Sequence, residues 1–284
     1  MNLESWIGRT ESRDDVVTVA PIQALAATLD RDDPIPRPGD RLPLLWHWLY
    51  FLPLPRQSAL GADGHERLGL FLPPVPLPRR LYAGGRIEVR HPLRVGEPVR
   101  RFSRIADVAE KAGRTGPLIF LKVRHEISNR TGLALVEEHD IVYRGLAGDA
   151  AGGANVRAAA PEDGGSPSFT REIVLDEVLL FRYSALTFNG YRIHYDRRYA
   201  IEVQGYRGLV VHAPLVATLL ADLVRRHLPD ADVASLSFRA HRPLFDGDRI
   251  LLGGRLSEDG RAVKLSARES NGVSFEAEAV LTNA

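Results

Sequence analysis

Apolar and polar residues alternate strictly in two separate sets of segments. The first set covers residues 100–108, 118–127 and 133–143; the second covers 250–256, 262–269 and 273–281. Period-two alternation of this length predicts half-buried β-strands. The breaks between them carry turn chemistry, Asn129-Arg130-Thr131-Gly132 in the first set and Asn271-Gly272 in the second, so each set reads as an antiparallel meander. The helical period is confined to shorter stretches. Residues 214–227, PLVATLLADLVRRH, repeat apolar positions at Leu215, Leu219, Leu220, Leu223 and Val224, with Pro214 at the start and Pro229 just past the end; this predicts one buried amphipathic helix. In the first half the apolar stretch 44–51, LLWHWLYF, lies between prolines and is the expected counterpart. The proline-rich residues 53–85 read as an elaborated loop, and AGGRIE at 83–88 as a turn.

The two sets are arranged alike. RIEVRHPLRVGEPV (86–99) precedes the first meander and LSFRAHRPLFDGDRI (236–250) leads into the second, aligning Pro92 with Pro243, Gly96 with Gly247 and Glu97 with Asp248. Two unrelated sheets with common turn residues could share part of this. Matched spacing over some fifty residues favours a duplicated unit. Between the copies, residues 145–167 are rich in Gly, Ala, Pro and acidic residues without periodicity, as a linker would be. One helix followed by a four-stranded antiparallel meander is the pattern of a hot-dog. The expected fold is therefore α+β, a tandem (double) hot-dog in which each half is an antiparallel sheet wrapped around a central helix. Its units are 1–144 and 168–284, and the two sheets can join side by side.

Composition adds mainly exclusions. The chain has 284 residues, 44% hydrophobic and 26% charged, and its 37 basic and 36 acidic residues nearly cancel. That balance offers no electrostatic footprint for nucleic acid or an anionic membrane. Cysteine is absent, which excludes disulfides, thiolate nucleophiles and cysteine-ligated metals. The longest apolar run, 42–54, is too short to span a bilayer and holds Pro43 and Pro53; with an acidic amino terminus unlike a signal peptide, this points to a soluble, cytoplasmic protein.

The remaining chemistry rests on histidines, carboxylates and hydroxyls. His47 between Trp46 and Trp48 reads as a packed core histidine, while His65, His91, His125 and His139 have no partner pattern nearby. No HExxH, GxSxG or phosphate-binding glycine loop occurs. One segment stands apart, FRYSALTFNGYRIHYDRRYA at 181–200. Read as a strand (181–185) entering a polar turn, it sets Asn189 and His194 across a bend, with Asp196 as the cap of a short helix. Histidine is suited to proton transfer near neutrality. On spacing alone, a capped loop with a structural histidine is an equal reading.

This segment resembles the signature of the MaoC-like, R-specific enoyl-CoA hydratase family. Ile193, His194, Asp196, Tyr199 and Ala200 fit its motif, while Asn189 stands where that motif has aspartate, and Tyr191 and Arg192 replace its asparagine and proline. The departures are similar to the subgroup containing mesaconyl-CoA and itaconyl-CoA hydratases, which Ser184, Ala185, Thr187, Asn189, Arg192, Ile193, His194, Tyr195 and Asp196 all match. LFLPPVPLPRRLYAGGRIEVRHPLRVGE (70–97) is similar to that subgroup's amino-terminal domain, and GLVVHAPLVA (208–217) resembles the stretch opening the family's central helix.

The resemblance implies hydration of an α,β-unsaturated acyl-CoA, with Asn189 and His194 as catalytic residues and the backbone N–H of Ala213 holding the thioester oxygen. His212 is expected to close the helix cap. Arg192, Tyr191, Arg79 and Arg80 are the implied substrate-binding residues, the arginines as readers of a substrate carboxylate. No metal and no cofactor beyond the CoA of the substrate is implied; an assembly of several double hot-dogs is compatible with it. A first half without the Asn189–His194 pair would keep the fold but lack the chemistry. The alternatives are a 3-hydroxyacyl-thioester dehydratase of fatty acid synthesis and a non-catalytic acyl-CoA-binding double hot-dog.

Overall fold

The computed structural model describes residues 2–113, 116–146 and 166–282. The expected linker, 145–167, falls mostly on residues outside these. The alternating segments are all strands: β3 (Pro98–Gly113), β4 (Gly116–Asn129) and β5 (Gly132–Arg144) in the first half, with β8 (Arg249–Leu256), β9 (Ala262–Glu269) and β10 (Gly272–Leu281) in the second. Before each meander runs one further strand, β2 (Arg79–Val89) and β7 (Val233–Ala240). Each half also begins with a strand and a short helix: β1 (Thr10–Val16) and α1 (Val19–Thr28), then β6 (Phe169–Val174) and α2 (Glu177–Leu186).

The ten strands among the described residues form one sheet, in the order β1-β3-β4-β5-β2-β7-β10-β9-β8-β6. The order reads the same from either edge once the halves are matched, so the duplication is visible as a mirrored pair of half-sheets. Its reach exceeds the turn motif. In the first half the Val17 N–H donates to the Glu97 carbonyl (3.1 Å) and the Gly96 N–H to Val17 (2.7 Å); in the second, Leu175 donates to Asp248 (2.9 Å) and Gly247 to Leu175 (2.7 Å). Gly96 and Gly247 both take left-handed backbone, φ 87° and 82°, which is why glycine recurs there. The acids beside them accept from the turn backbone, Glu97 from the Arg94 N–H at 2.6 Å and Asp248 from Phe245 at 2.8 Å.

The halves join where β2 pairs antiparallel with β7. AGGRIE is the interior of β2, not the expected turn. A Cβ on Gly84 would lie 2.5 Å from the Phe238 carbonyl oxygen and one on Gly85 2.7 Å from that of Glu138; the glycines allow close backbone approach at the seam. The expected loop therefore ends at residue 78, not 85.

Helix α3 (Ala213–His227) is the central helix foreseen in the second half, packed against β8, β9 and β10. Its Asp222, buried, accepts from three arginines: Arg31 (2.7 Å) of the first half, Arg171 (3.0 Å), and Arg226 (2.7 Å) one turn on. The matching helix expected over 44–51 does not form. A single 3₁₀ turn, Trp46–Leu49, takes its place, because Leu45 and Phe51 adopt left-handed backbone (φ 68° and 55°), which no right-handed helix can pass through. The double hot-dog stands, with its long central helix in the second half only among the described residues. No helix among these residues is long and apolar enough to cross a membrane.

Candidate active site

The segment 181–200 is built differently from its alternation. Residues 181–185 lie in α2, not in a strand: Leu180, Tyr183 and Ser184 are buried at helical spacing while Phe181 faces out, and Asp176 caps the helix by accepting from the Leu179 N–H at 2.8 Å. The chain leaves α2 through Phe188, whose φ of 49° reverses it, and the Asn189 N–H returns to the Ser184 carbonyl at 2.8 Å. A 3₁₀ turn, Arg192–His194, follows. Asp196 then behaves as the expected cap, accepting from the Tyr199 N–H at 3.0 Å.

A loop of the first half holds this turn. The Arg192 N–H donates to the Asp63 carbonyl (2.9 Å), and Arg192 Nη1 to that of Ala62 (2.9 Å). Gly64, at φ 90°, packs so tightly that a Cβ there would fall 1.9 Å from the Gly190 carbonyl oxygen. His65 covers the Tyr191 ring at a centroid distance of 4.2 Å. The proline-rich stretch is therefore a clamp on the segment in the other half.

The turn borders a cavity of about 830 Å³ that spans both halves. Ser184, Thr187, Asn189 and Arg192 form one wall, and Pro214, at the start of α3, brings the helix amino terminus to it. Ala213 is the first residue of that helix, where a backbone N–H has no partner within the helix. The side-chain Oδ1 of Asn189 accepts from the Tyr191 N–H at 3.0 Å, which leaves the side-chain Nδ2 hydrogens to act as donors. His194 lies just behind this wall, 7% exposed. Its Nδ1 is 2.6 Å from the Val210 carbonyl oxygen, so Nδ1 carries the proton and Nε2 the lone pair. Burial pushes its pKa down to about 3 against the opposing Val210 bond; the imidazole is neutral at physiological pH.

His212 is the residue before α3, but its side chain does not cap the helix. It is 2.8 Å from the Ser184 hydroxyl through Nε2 and stacks on His194. Of the four residues implied for substrate binding, Arg80 and Arg192 reach the cavity wall; Arg192 is also paired with Asp196 at 2.8 Å. The structure does not bring the other two there. Tyr191 is buried beneath His65, and Arg79 lies over the Tyr206 ring at 4.9 Å and donates to the Gln204 carbonyl.

Sequence reasoning missed a polar cluster opposite this wall. Glu137, buried, accepts from Trp48 Nε1 (2.7 Å) and is within 3.0 Å of His47 and 2.5 Å of His139. His125 is 2.8 Å from Ser103 and packs edge-on against His139. His47 is buried, as its sequence context suggests, whereas neither His125 nor His139 is the isolated residue its own context suggests. A signal was present: His125 occupies the buried phase of β4 with Leu121, Val123 and Ile127, and Ser103 that of β3. Polar residues in the core phase of neighbouring strands are expected to meet.

Comparison with known proteins gives consistent results. The hydroxyacyl-thioester dehydratase type 2 family model matches residues 45–246. The chain is 48% identical over 244 residues to the mesaconyl-C(4)-CoA hydratase of Chloroflexus aurantiacus, covering 85% of each. Among solved structures it resembles a MaoC-like dehydratase (TM-score 0.72, 16% identity, 98% and 99% of the two chains). It also resembles a Mycobacterium tuberculosis protein described as a double hot-dog (TM-score 0.59, 13% identity, 97% and 96%).

Proposed function

We propose that this chain, which belongs to the hydroxyacyl-thioester dehydratase type 2 family and is an acyl-CoA hydratase, acts on a C5 dicarboxylic unsaturated acyl-CoA, the α,β-unsaturated mesaconyl-CoA or its isomer itaconyl-CoA, with the steps below written for the first. The observation that carries the catalytic assignment is the state of His194: a neutral imidazole with Nδ1 committed to Val210, so that Nε2 is the basic atom. Water held by the Asn189 amide gives a proton to that nitrogen as its oxygen bonds to the β-carbon. The electron pair of the double bond moves to the thioester oxygen, where the Ala213 N–H and the positive end of α3 stabilise the enolate. His194 then returns the proton to the α-carbon, giving the β-hydroxyacyl-CoA. Units 1–144 and 168–284 divide the work, the second carrying this chemistry and the first completing the cavity, and we take the setting to be the cytoplasm.

The substrate class draws on the 48%-identical relative and on the cationic groups of the cavity. Hydration of mesaconyl-C(4)-CoA, itaconyl-CoA and crotonyl-CoA by the purified protein, with His194→Ala in parallel, tests both parts. Turnover of a C5 dicarboxylic thioester that disappears in the variant is expected. Turnover of crotonyl-CoA alone would give the reading to a fatty-acid dehydratase, and tight binding without turnover of any thioester to a non-catalytic acyl-CoA-binding protein.

A further inference from the structure

The duplication provides an internal comparison for the far wall of the cavity. The strand registers, counted from Gly96 and Gly247, place Arg101 opposite the role of Leu252, His125 that of Leu265, and Glu137 that of Ala277. In the second half these positions are apolar, and α3 packs on that face. In the first half no such helix lies there among the described residues, and the face borders the cavity shared with Ser184 and Asn189. The 46–51 segment covers part of this face, with His47 and Trp48 on Glu137 and the Phe51 ring 5.3 Å from the Arg101 guanidinium, and here the apolar positions have become polar.

The charges on this face are incompletely matched. The β1–β3 register sets Arg13 directly opposite Arg101, a like-charge pair that weakens a sheet unless an anion joins it. Glu137 is occupied by His47, Trp48 and His139. One carboxylate, Glu11, serves both guanidiniums, at 3.4 Å from Arg13 and 3.6 Å from Arg101. Arg13 also donates to the Leu52 carbonyl at 2.9 Å. The Arg101 Nε is buried and has no hydrogen-bond partner among the described residues, and burial together with Arg13 disfavours its charge. A planar anion would relieve all three conditions.

We propose that this inner face of the first half-sheet, with Arg101 as its reader and Arg13 and His125 beside it, is the subsite for the free carboxylate of the acyl group. The inference rests on the acyl-CoA hydratase reading above and names what selects the substrate. A guanidinium matches a carboxylate in bidentate geometry. The Arg101 side chain, 19% exposed, suits a single anionic group carried into the cavity better than the bulky, solvated phosphates of CoA. The assignment puts Arg101 in place of Arg79, which lies outside the cavity, and of Arg192, which is paired with Asp196.

The test compares mesaconyl-C(4)-CoA with crotonyl-CoA, which share CoA and differ in the carboxylate, in the wild type, Arg101→Leu (the residue of the duplicate) and Arg101→Lys. Loss of one partner of a half-buried charged pair costs at least about thirtyfold. That loss is expected in kcat/KM, mainly through KM, for Arg101→Leu on the dicarboxylic thioester, with crotonyl-CoA changed by less than about threefold and Arg101→Lys in between. Equal losses on both thioesters would mean that Arg101 serves CoA or the fold, and no loss on either would mean that it reads nothing; both overturn the proposal. Equilibrium binding in the His194→Ala background separates the two readings. If the wild type turns over no thioester, the hydratase mechanism fails, while a selective loss of dicarboxylic binding in the Arg101 variants still supports the subsite and an unselective one rejects it.

Discussion

His212 lies face to face on His194, ring centroids 3.6 Å apart and planes 19° from parallel. Both rings are buried, and the pKa of His212 is driven well below the ordinary histidine value by burial and then by His194. The stack fixes the plane of the proposed base, and burial keeps that base neutral. His194→Ala is expected to lower kcat by roughly a hundred- to ten-thousandfold in protein that still folds, with a lower melting temperature because a buried ring bonded to Val210 is removed. An activity loss matched by loss of folded protein would assign His194 a structural role instead.

The same burial makes the fold sensitive to acid. His125, His194 and His212 all have pKa values depressed in the folded state, burial being the first cause in each. The unfolded chain therefore binds protons that the folded chain refuses once the pH drops below about 6.5. Stability is fully present above that pH and falls on acidification, by up to roughly 1.4 kcal/mol per pH unit for each histidine. For His194 the window extends down to about 3. Glu137 adds to the loss at lower pH: burial raises its carboxyl, but His139 and His47 together pull it well below the usual value. Urea midpoints measured from neutral pH downward should decline from about 6.5, while kcat of the folded enzyme shows no acid limb from His194 until far lower pH. A kcat limb near 6.5 in fully folded protein would contradict this.

Gly64 is a sharp test of the clamp between the halves. Alanine there would have to hold φ 90° and fit its methyl where the Gly190 carbonyl now lies. Strain of this type costs about 1–3 kcal/mol or displaces the loop. Gly64→Ala should lower the melting temperature and reduce kcat by releasing the 189–194 turn, whereas Gly39→Ala, also at positive φ but with nothing near its Cβ, should affect stability alone. Equal kinetic effects of the two changes would remove the clamp from the picture.

Asp222 ties α3 to the first half through Arg31. Removing this carboxylate leaves three guanidiniums facing one another around a buried site. Asp222→Ala is expected to destabilise the protein by about 3–5 kcal/mol, read as a lower urea midpoint, with KM of the remaining folded enzyme little changed. A variant as stable as the wild type would show that the arginines find other partners.

What the sequence determined by itself is what repeats locally. Period-two alternation placed β3, β4, β5, β8, β9 and β10, and the glycine–acid turns at Gly96 and Gly247 disclosed the duplication, because strand pleating and left-handed turn backbone constrain residues near in sequence. The 189–200 motif was legible for the same reason, its Asp196 cap included. Tertiary structure decided the rest. The stretch 44–51 has helical composition, but left-handed backbone at Leu45 and Phe51 ends it after one turn. Residues 181–185 alternate like a strand, but Asp176 and the burial of Leu180 and Tyr183 make them helix. Gly84 is demanded by a strand of the other half, Gly85 by β5 of its own half and Gly64 by Gly190, and the polar cluster at Glu137 gathers side chains as far apart as His47 and His139. Close approaches and buried charges depend on which distant residues the fold brings together, and no local period in the chain encodes that.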